Sequence, residues 1–164
     1  MDNIFFSIII PTYNRATFLP DTINSVLNQT FQNFELIIID DASTDNTKEI
    51  IASFNHSKIS YYRNENNIER GASRNKGIEL AKGTYICFLD SDDHYCANHL
   101  QTLFEAVQQN TTPALYFTNS YLLEEGHEPV EKIVPDLTTK QNVFNYLLIY
   151  TPNPARVCIE KSIL

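Results

Sequence analysis

Apolar runs of strand length alternate along this chain with segments of helical period. Residues 6–10 (FSIII), 34–40 (FELIIID), 59–64 (ISYYRN), 85–90 (YICFLD) and 114–124 (ALYFTNSYLLE) read as five strands, the third the weakest. Between the first two, ATFLPDTINSVLNQT places Leu19, Ile23, Val26 and Leu27 on one helical face. STDNTKEIIASF predicts a second helix, with Ser43, Thr44 or Asp45 as N-cap candidates. RGASRNKGIELAKG (70–83) predicts a third, with Ile78 and Ala81 inward and Gly83 as its terminator. NHLQTLFEAVQQN predicts a fourth, with Leu100, Leu103, Phe104 and Val107 on one face. Residues 124–139 then turn polar, carry Pro129 and Pro135, and read as a loop, before a helix in KQNVFNYLLIY and a final strand in ARVCIEK. Strands apolar on both faces and joined by helices predict an α/β fold, a mostly parallel doubly wound sheet covered on both sides.

A chain of 164 residues with 43% hydrophobic content has the core of a single domain. The net charge of −8 argues against a nucleic-acid partner, since phosphate binding needs a basic face and Lys plus Arg total only 12. Cys87, Cys96 and Cys158 show no CxxC spacing and cannot all pair, so they read as buried free thiols of a reducing compartment. The apolar run at the amino terminus is far short of the ~20 residues a membrane span needs, and no other stretch reaches that length. A cytoplasmic location is expected, with peripheral attachment to the inner face of a membrane compatible with it.

In open parallel sheets ligands bind at the carboxyl ends of the strands. The first strand ends in PTYNR (11–15), the second in DDAS (40–43) and the fourth in DSDD (90–93), so these clusters are expected on one rim. One aspartate at a strand end ordinarily caps a helix or faces water, and Asp93 and Asp45 fit that use. Asp90 and Asp92 are different, because two like charges so close together repel unless water or a cation lies between them. A hard cation such as Mg²⁺ or Mn²⁺ takes oxygen ligands, often one or two carboxylates, and completes its shell with ligand phosphates. The four glycines form no GxGxxG after the first strand and no P-loop, which leaves a metal and arginines to hold phosphate, with Arg15, Arg70 and Arg74 available. His94 follows the aspartates but suits a helix start or the surface; His56, His99 and His127 form no ligand spacing, and Cys96 with His99 is no zinc site.

Two stretches, SIIIPTYNRATFLPDTINSVLNQTFQNFELIIIDDASTDNT and NNIERGASRNKGIELAKGTYICFLDSDD, closely resemble the nucleotide-binding half of family 2 glycosyltransferases with the GT-A fold. The resemblance implies a GT-A domain over 1–164, its nucleotide-binding part about 1–110 and the start of an acceptor-side part about 111–164. It implies that Pro11, Thr12 and Tyr13 line the nucleotide pocket with Arg15 close by. Asp41 and Asp40 would accept a hydrogen bond from the base, favouring uridine. Arg70 would contact base and phosphate, and Arg74 and Asn75 match the family's ARN element. Asp90 would contact the ribose or a metal-bound water, and Asp92 would bind the divalent cation that bridges the donor's phosphates. The implied reaction carries a sugar from a nucleotide-sugar donor, UDP-linked by this reading, to an acceptor hydroxyl with inversion; the acceptor is a glycan, lipid or protein in polysaccharide and envelope biosynthesis.

The family's catalytic base is an aspartate in an ED-type motif beyond the strand that ARVCIEKSIL resembles, and the sequence stops at Leu164 before any such motif. Glu124, Glu125 and Glu128 lie in the wrong stretch to replace it. The expectation is an amino-terminal part of a longer enzyme, holding the donor site without the base. The alternatives are a donor-binding module without turnover, and a nucleotidyltransferase, whose basic GxGxR-type first loop PTYNR does not match.

Overall fold

The computed structural model describes residues 4–109, 115–122, 127–132 and 157–164. Strands β1 (Phe6–Thr12) and β2 (Phe34–Asp40) are buried at every position, the environment that an unbroken apolar run requires. They pair in parallel from Phe6 opposite Phe34 to Thr12 opposite Asp40. β3 (Ile59–Arg63) adds in parallel outside β2, and β4 (Tyr85–Phe88) adds in parallel on the other side of β1. Side chains alternate across this sheet. Phe6, Ile8, Ile10, Leu36 and Ile38 meet residues of α1 (Leu19–Leu27), α2 (Thr47–Ser53) and α4 (His99–Gln108) on one face. Ile9, Ile37, Ile39, Ile86 and Phe88 meet Ile78 and Leu80 of α3 (Glu69–Leu80) on the other. With helices on both faces the sheet is doubly wound, as the apolar pattern predicts. Each fully buried Ile or Leu in it contributes roughly 1.5–3 kcal/mol.

Beyond α4 the pattern and the structure part company. The run at 114–124 divides at Thr118 and Asn119 into β5 (Leu115–Phe117) and β6 (Ser120–Leu122). β6 leaves the main sheet and pairs antiparallel with β7 (Val130–Lys132), which lies where a loop is expected. The final strand, β8 (Val157–Glu160), inserts antiparallel between β4 and β5, giving the order β3-β2-β1-β4-β8-β5. Apolar alternation specifies which face of a strand is buried, not which neighbour it joins, so the switch to antiparallel pairing leaves no local signal. The helix expected in KQNVFNYLLIY lies outside the described residues. Among the described residues no helix is long and apolar enough to cross a membrane.

Helix α3 corrects two expectations. It stops at Leu80, and Ala81, although buried, is extended (φ −64°, ψ 138°) rather than part of the helix. Gly83 does not end it through a left-handed turn; a Cβ there would lie 2.6 Å from the Ser7 amide nitrogen and 2.8 Å from the Phe6 carbonyl carbon. Glycine is needed because the turn after α3 closes onto the start of β1. The buried Glu35 carboxylate secures that closure, accepting from the Ser7 hydroxyl at 2.7 Å and the Lys82 amide at 2.6 Å, while the Gly83 amide donates to Ser7 Oγ at 2.8 Å.

Two outcomes test this packing. Gly83→Ala should cost about 1–3 kcal/mol in urea unfolding, because the new methyl meets backbone that has nowhere to go; Gly71→Ala, at an open α3 position, should not be destabilising. His99 stacks on Tyr95 with centroids 4.0 Å apart, and burial pushes its pKa down from 6.5 to about 4. Between those values the unfolded chain takes up a proton that the folded chain refuses, so stability falls as pH drops from 6.5 towards 4. Denaturation across that window should show His99→Phe removing a loss on the order of 2 kcal/mol.

Candidate functional site

The strand order places a crevice between β1 and β4, where the chain passes from one side of β1 to the other, and this is where ligands bind in open α/β sheets. Because Ile9 lies opposite Phe88, continuing the parallel register brings Asp90 level with Pro11. A cleft of about 320 Å³ opens there, lined by Pro11, Thr12, Tyr13 and Arg15, by Asp41, by Asn67, Glu69 and Arg70, and by Asp90, Ser91 and Asp92. Segments far apart in the chain thus converge on one rim. Eight residues singled out from the sequence share it: Pro11, Thr12, Tyr13, Arg15, Asp41, Arg70, Asp90 and Asp92.

Asp40 and Arg74 do not line the cleft. Asp40 is fully buried; its Oδ1 accepts the Ser43 amide at 2.8 Å, and its Oδ2 accepts the Tyr61 hydroxyl at 2.6 Å and the Arg63 guanidinium at 3.1 Å. Burial, followed by the hydrogen bond to Asp40, pushes the Tyr61 phenol up to about 12. Arg63 also donates to the Ser43 carbonyl at 2.7 Å, so Asp40 organises the turn after β2. Arg74 donates to Asp90 Oδ1 at 2.5 Å and is largely buried, and its Nε has no hydrogen-bond partner among the described residues. Its place is behind Asp90, setting that carboxylate's orientation.

The next aspartate takes the opposite position. Ala42, at φ 66°, reverses the chain between Asp41 and Ser43, a backbone conformation costly for a residue other than glycine. Asp41 Oδ1 accepts the Asn64 amide at 2.8 Å and the Ile68 backbone N–H at 2.9 Å, while Lys76 donates to Asn64 Oδ1 at 2.7 Å. Asn64 and Lys76 therefore hold Asp41 against the loop that enters α3. Residue 69, the first of that helix, is again left-handed (φ 72°), which carries Glu69 into the lining. Asn67, Glu69 and Ser91 were missed from the sequence, because nothing in their spacing marks them.

On the β1 side, PTYNR turns through Asn14 at φ 51°. Its amide donates to Ser43 Oγ at 2.9 Å, and its side-chain oxygen accepts the Thr44 amide at 2.7 Å. Asp45 Oδ2 accepts the Ala16 amide at 3.1 Å and its Oδ1 the Thr47 amide, but the N-cap of α2 is Asn46, which makes no side-chain cap bond, so none of Ser43, Thr44 and Asp45 occupies that position. Burial opposes ionisation of Asp45, but these hydrogen bonds prevail and hold its carboxyl below the usual range. The Asp93 amide donates to the Asp90 carbonyl at 3.1 Å, closing the turn that presents Asp92. His94 faces a separate shallow groove beside α1. All three cysteines are free; Cys87 and Cys158 are buried as expected, but Cys96 is exposed, because the loop after β4 carries it to the surface.

A divalent cation can be tested against this donor set. Among the described residues no group of three or more His, Cys, Asp or Glu side chains stands ready to enclose a metal. Asp90 and Asp92 do share one wall, Asp92 about half exposed, and Thr12 Oγ1 in the same cleft is buried without a partner among the described residues. Two carboxylates with room for phosphate oxygens and water fit Mg²⁺ or Mn²⁺, which seldom use an all-protein cage.

Similarity to known proteins agrees with this geometry. The sequence pattern described as Glycosyl transferase family 2 matches residues 7–156. The chain is 38% identical over 134 residues to the Escherichia coli protein named UDP-Glc:alpha-D-GlcNAc-diphosphoundecaprenol beta-1,3-glucosyltransferase WfgD, covering 82% of this chain and 52% of that protein. It is 35% identical over 130 residues to the Putative teichuronic acid biosynthesis glycosyltransferase TuaG of Bacillus subtilis, covering 78% and 51%. The crystal structure of S. aureus TarS in complex with UDP-GlcNAc superposes with a TM-score of 0.74 at 25% identity, over 98% of this chain and 48% of that one. The chain spans about half the length of these relatives. The GT-A sheet, the cleft at its switch point and a family pattern running over nearly all of the sequence lead to one assignment: the chain belongs to glycosyl transferase family 2.

Proposed function

We propose that this chain carries the donor site of a glycosyltransferase that moves a sugar, with inversion, from a UDP-linked donor to a hydroxyl of a membrane-linked glycan at the cytoplasmic face. The observation that carries the reading is the single cleft in which Pro11–Tyr13, Asp41, Arg70 and the Asp90–Asp92 turn converge. Tyr13, 45% exposed, offers a ring face to a base, and Asp41, held by Asn64 and the Ile68 amide, offers an acceptor for the N–H of uracil. Support for a UDP-sugar comes from the TarS complex, and for a lipid-diphosphate acceptor from the name of WfgD.

Asp92 and Asp90 would hold the cation, which as a Lewis acid offsets the charge developing on the departing diphosphate. Arg74 fixes Asp90, and Arg70 stands in the cleft as a phosphate partner. Thr12 Oγ1, buried and without a partner among the described residues, is a hydrogen-bonding group for the donor. The proton of the acceptor hydroxyl needs a carboxylate base, which the reading places beyond Leu164, in the part of the relatives' length that this chain does not span. Residues 1–110 would then be the donor part of one domain and 111–164 the start of its acceptor side. A donor-binding module without turnover is the second reading.

Calorimetric titration with UDP, with and without Mn²⁺, tests the site: binding should need Mn²⁺, and Asp92→Ala should abolish the dependence. Unchanged Mn²⁺ dependence in that variant would refute the cation assignment, and UDP binding without donor hydrolysis would favour the second reading. The adjacent aspartates should separate. Asp41→Asn, which keeps Oδ1 for the Asn64 and Ile68 donors, should weaken UDP binding about tenfold or more, whereas Asp40→Asn should cost about 1–3 kcal/mol in unfolding by leaving the Tyr61 and Arg63 donors without an anion.

A further inference from the structure

The cleft contains one ion pair built to break. Arg15 Nε lies 3.6 Å from Asp92 Oδ2, and both side chains are nearly half exposed, at 47% and 46%. Arg74 and Asp90 form the contrasting pair, only 16% and 22% exposed and joined at 2.5 Å. Exposed pairs contribute little to stability, so the Arg15 pair exchanges partners readily while the Arg74 pair stays fixed.

The backbone around Arg15 does not share that freedom. Asn14 is tied to Ser43 and Thr44, and the Ala16 amide to Asp45, so a bonded bracket presents a half-exposed side chain. In the same conformation the Arg15 guanidinium carbon lies 5.9 Å from the centre of the exposed Phe18 ring, a contact that does not depend on Asp92. Charge sets the direction of exchange. The lining carries Asp41, Glu69, Asp90 and Asp92 against Arg15 and Arg70, so the cleft is acidic and repels a diphosphate that arrives without a cation. A cation that arrives alone must displace a guanidinium from Asp92 and then lie beside it. When both are present, the guanidinium gains a diphosphate oxygen as its partner and the cation gains Asp92.

We infer that Arg15 is an internal counter-ion of the cation site, bound to Asp92 until donor and cation arrive and then transferred to the diphosphate, so that the two bind interdependently. This positioning role rests on the donor-site reading above. It would keep free metal from filling the cleft before the nucleotide does.

The test measures Mn²⁺ affinity of the full chain, by paramagnetic resonance of unbound Mn²⁺, without UDP and with saturating UDP. Wild type, Arg15→Ala, Asp92→Asn and the double variant are compared. Arg15→Ala should bind Mn²⁺ alone about two- to fivefold more tightly. The factor by which UDP raises Mn²⁺ affinity should shrink in the same variant, and UDP affinity should show the reciprocal change. In the Asp92→Asn background the Arg15 substitution should have no effect on Mn²⁺ binding. Unchanged or weaker binding of Mn²⁺ alone by Arg15→Ala, or an unchanged coupling factor, overturns the counter-ion role while leaving the donor site standing. Failure of the wild type to bind Mn²⁺ even with UDP overturns both.

Discussion

The whole site hangs on the burial and register of β1. Each of its seven residues is buried, and both of its edges are taken by parallel partners, β2 on one side and β4 on the other. Once Thr12 is level with Asp40 and Ile9 with Phe88, the ends of three strands arrive at one rim, and the polar residues that follow each strand have only that rim to occupy. A slip of one residue would exchange Ile9 with the Ile8 and Ile10 face, which the two distinct apolar clusters forbid. Core packing therefore positions the chemistry: the register that buries isoleucines also aligns Pro11 with Asp90.

Around that rim, charges are sorted by how firmly they are held. Asp40 is tied by Tyr61 and Arg63 into the framework, away from the cleft, whereas Asp41, Asp90 and Asp92 line it, Asp90 fixed by Arg74 and Asp41 by Asn64 and the Ile68 amide. The sorting is achieved through left-handed backbone conformations that, among the described non-glycine residues, recur elsewhere only at Asn55. Asn14, Ala42 and Glu69 all adopt positive φ, and each sits at a turn bordering the cleft. Such residues persist only where surrounding bonds over-determine them; here the bonds linking Asn14 to Ser43 and Thr44, Ser43 to Asp40 and Ile68 to Asp41 do so. The result is a bonded floor with Arg15, in a half-exposed ion pair, at its edge.

Much of this architecture was legible in the residues themselves. Continuous apolar runs named β1, β2 and β4, helical spacing named α1 and α4, and a rim of PTYNR, DDAS and DSDD followed from the alternation of strands and helices. Those signals are local or depend only on period. The family pattern of SIIIPTYN and RNKG, joined to that alternation, points to the GT-A sheet.

What only the tertiary structure decided were matters of partner and direction. Asp40 and Asp41 are chemically identical neighbours, and nothing in DDAS says which one Tyr61 and Arg63 will claim, because those partners come from another strand. Gly83 looks like a helix terminator until the Ser7 backbone is found against it. The antiparallel entry of β8 between β4 and β5, and the departure of β6 to pair with β7, depend on long-range hydrogen bonding that apolar period does not encode. Sequence by itself determined which faces are buried and which residue types gather at the strand ends; the fold determined which of those groups are spent on structure and which are left facing the cleft, since that choice rests on contacts between residues distant in the chain.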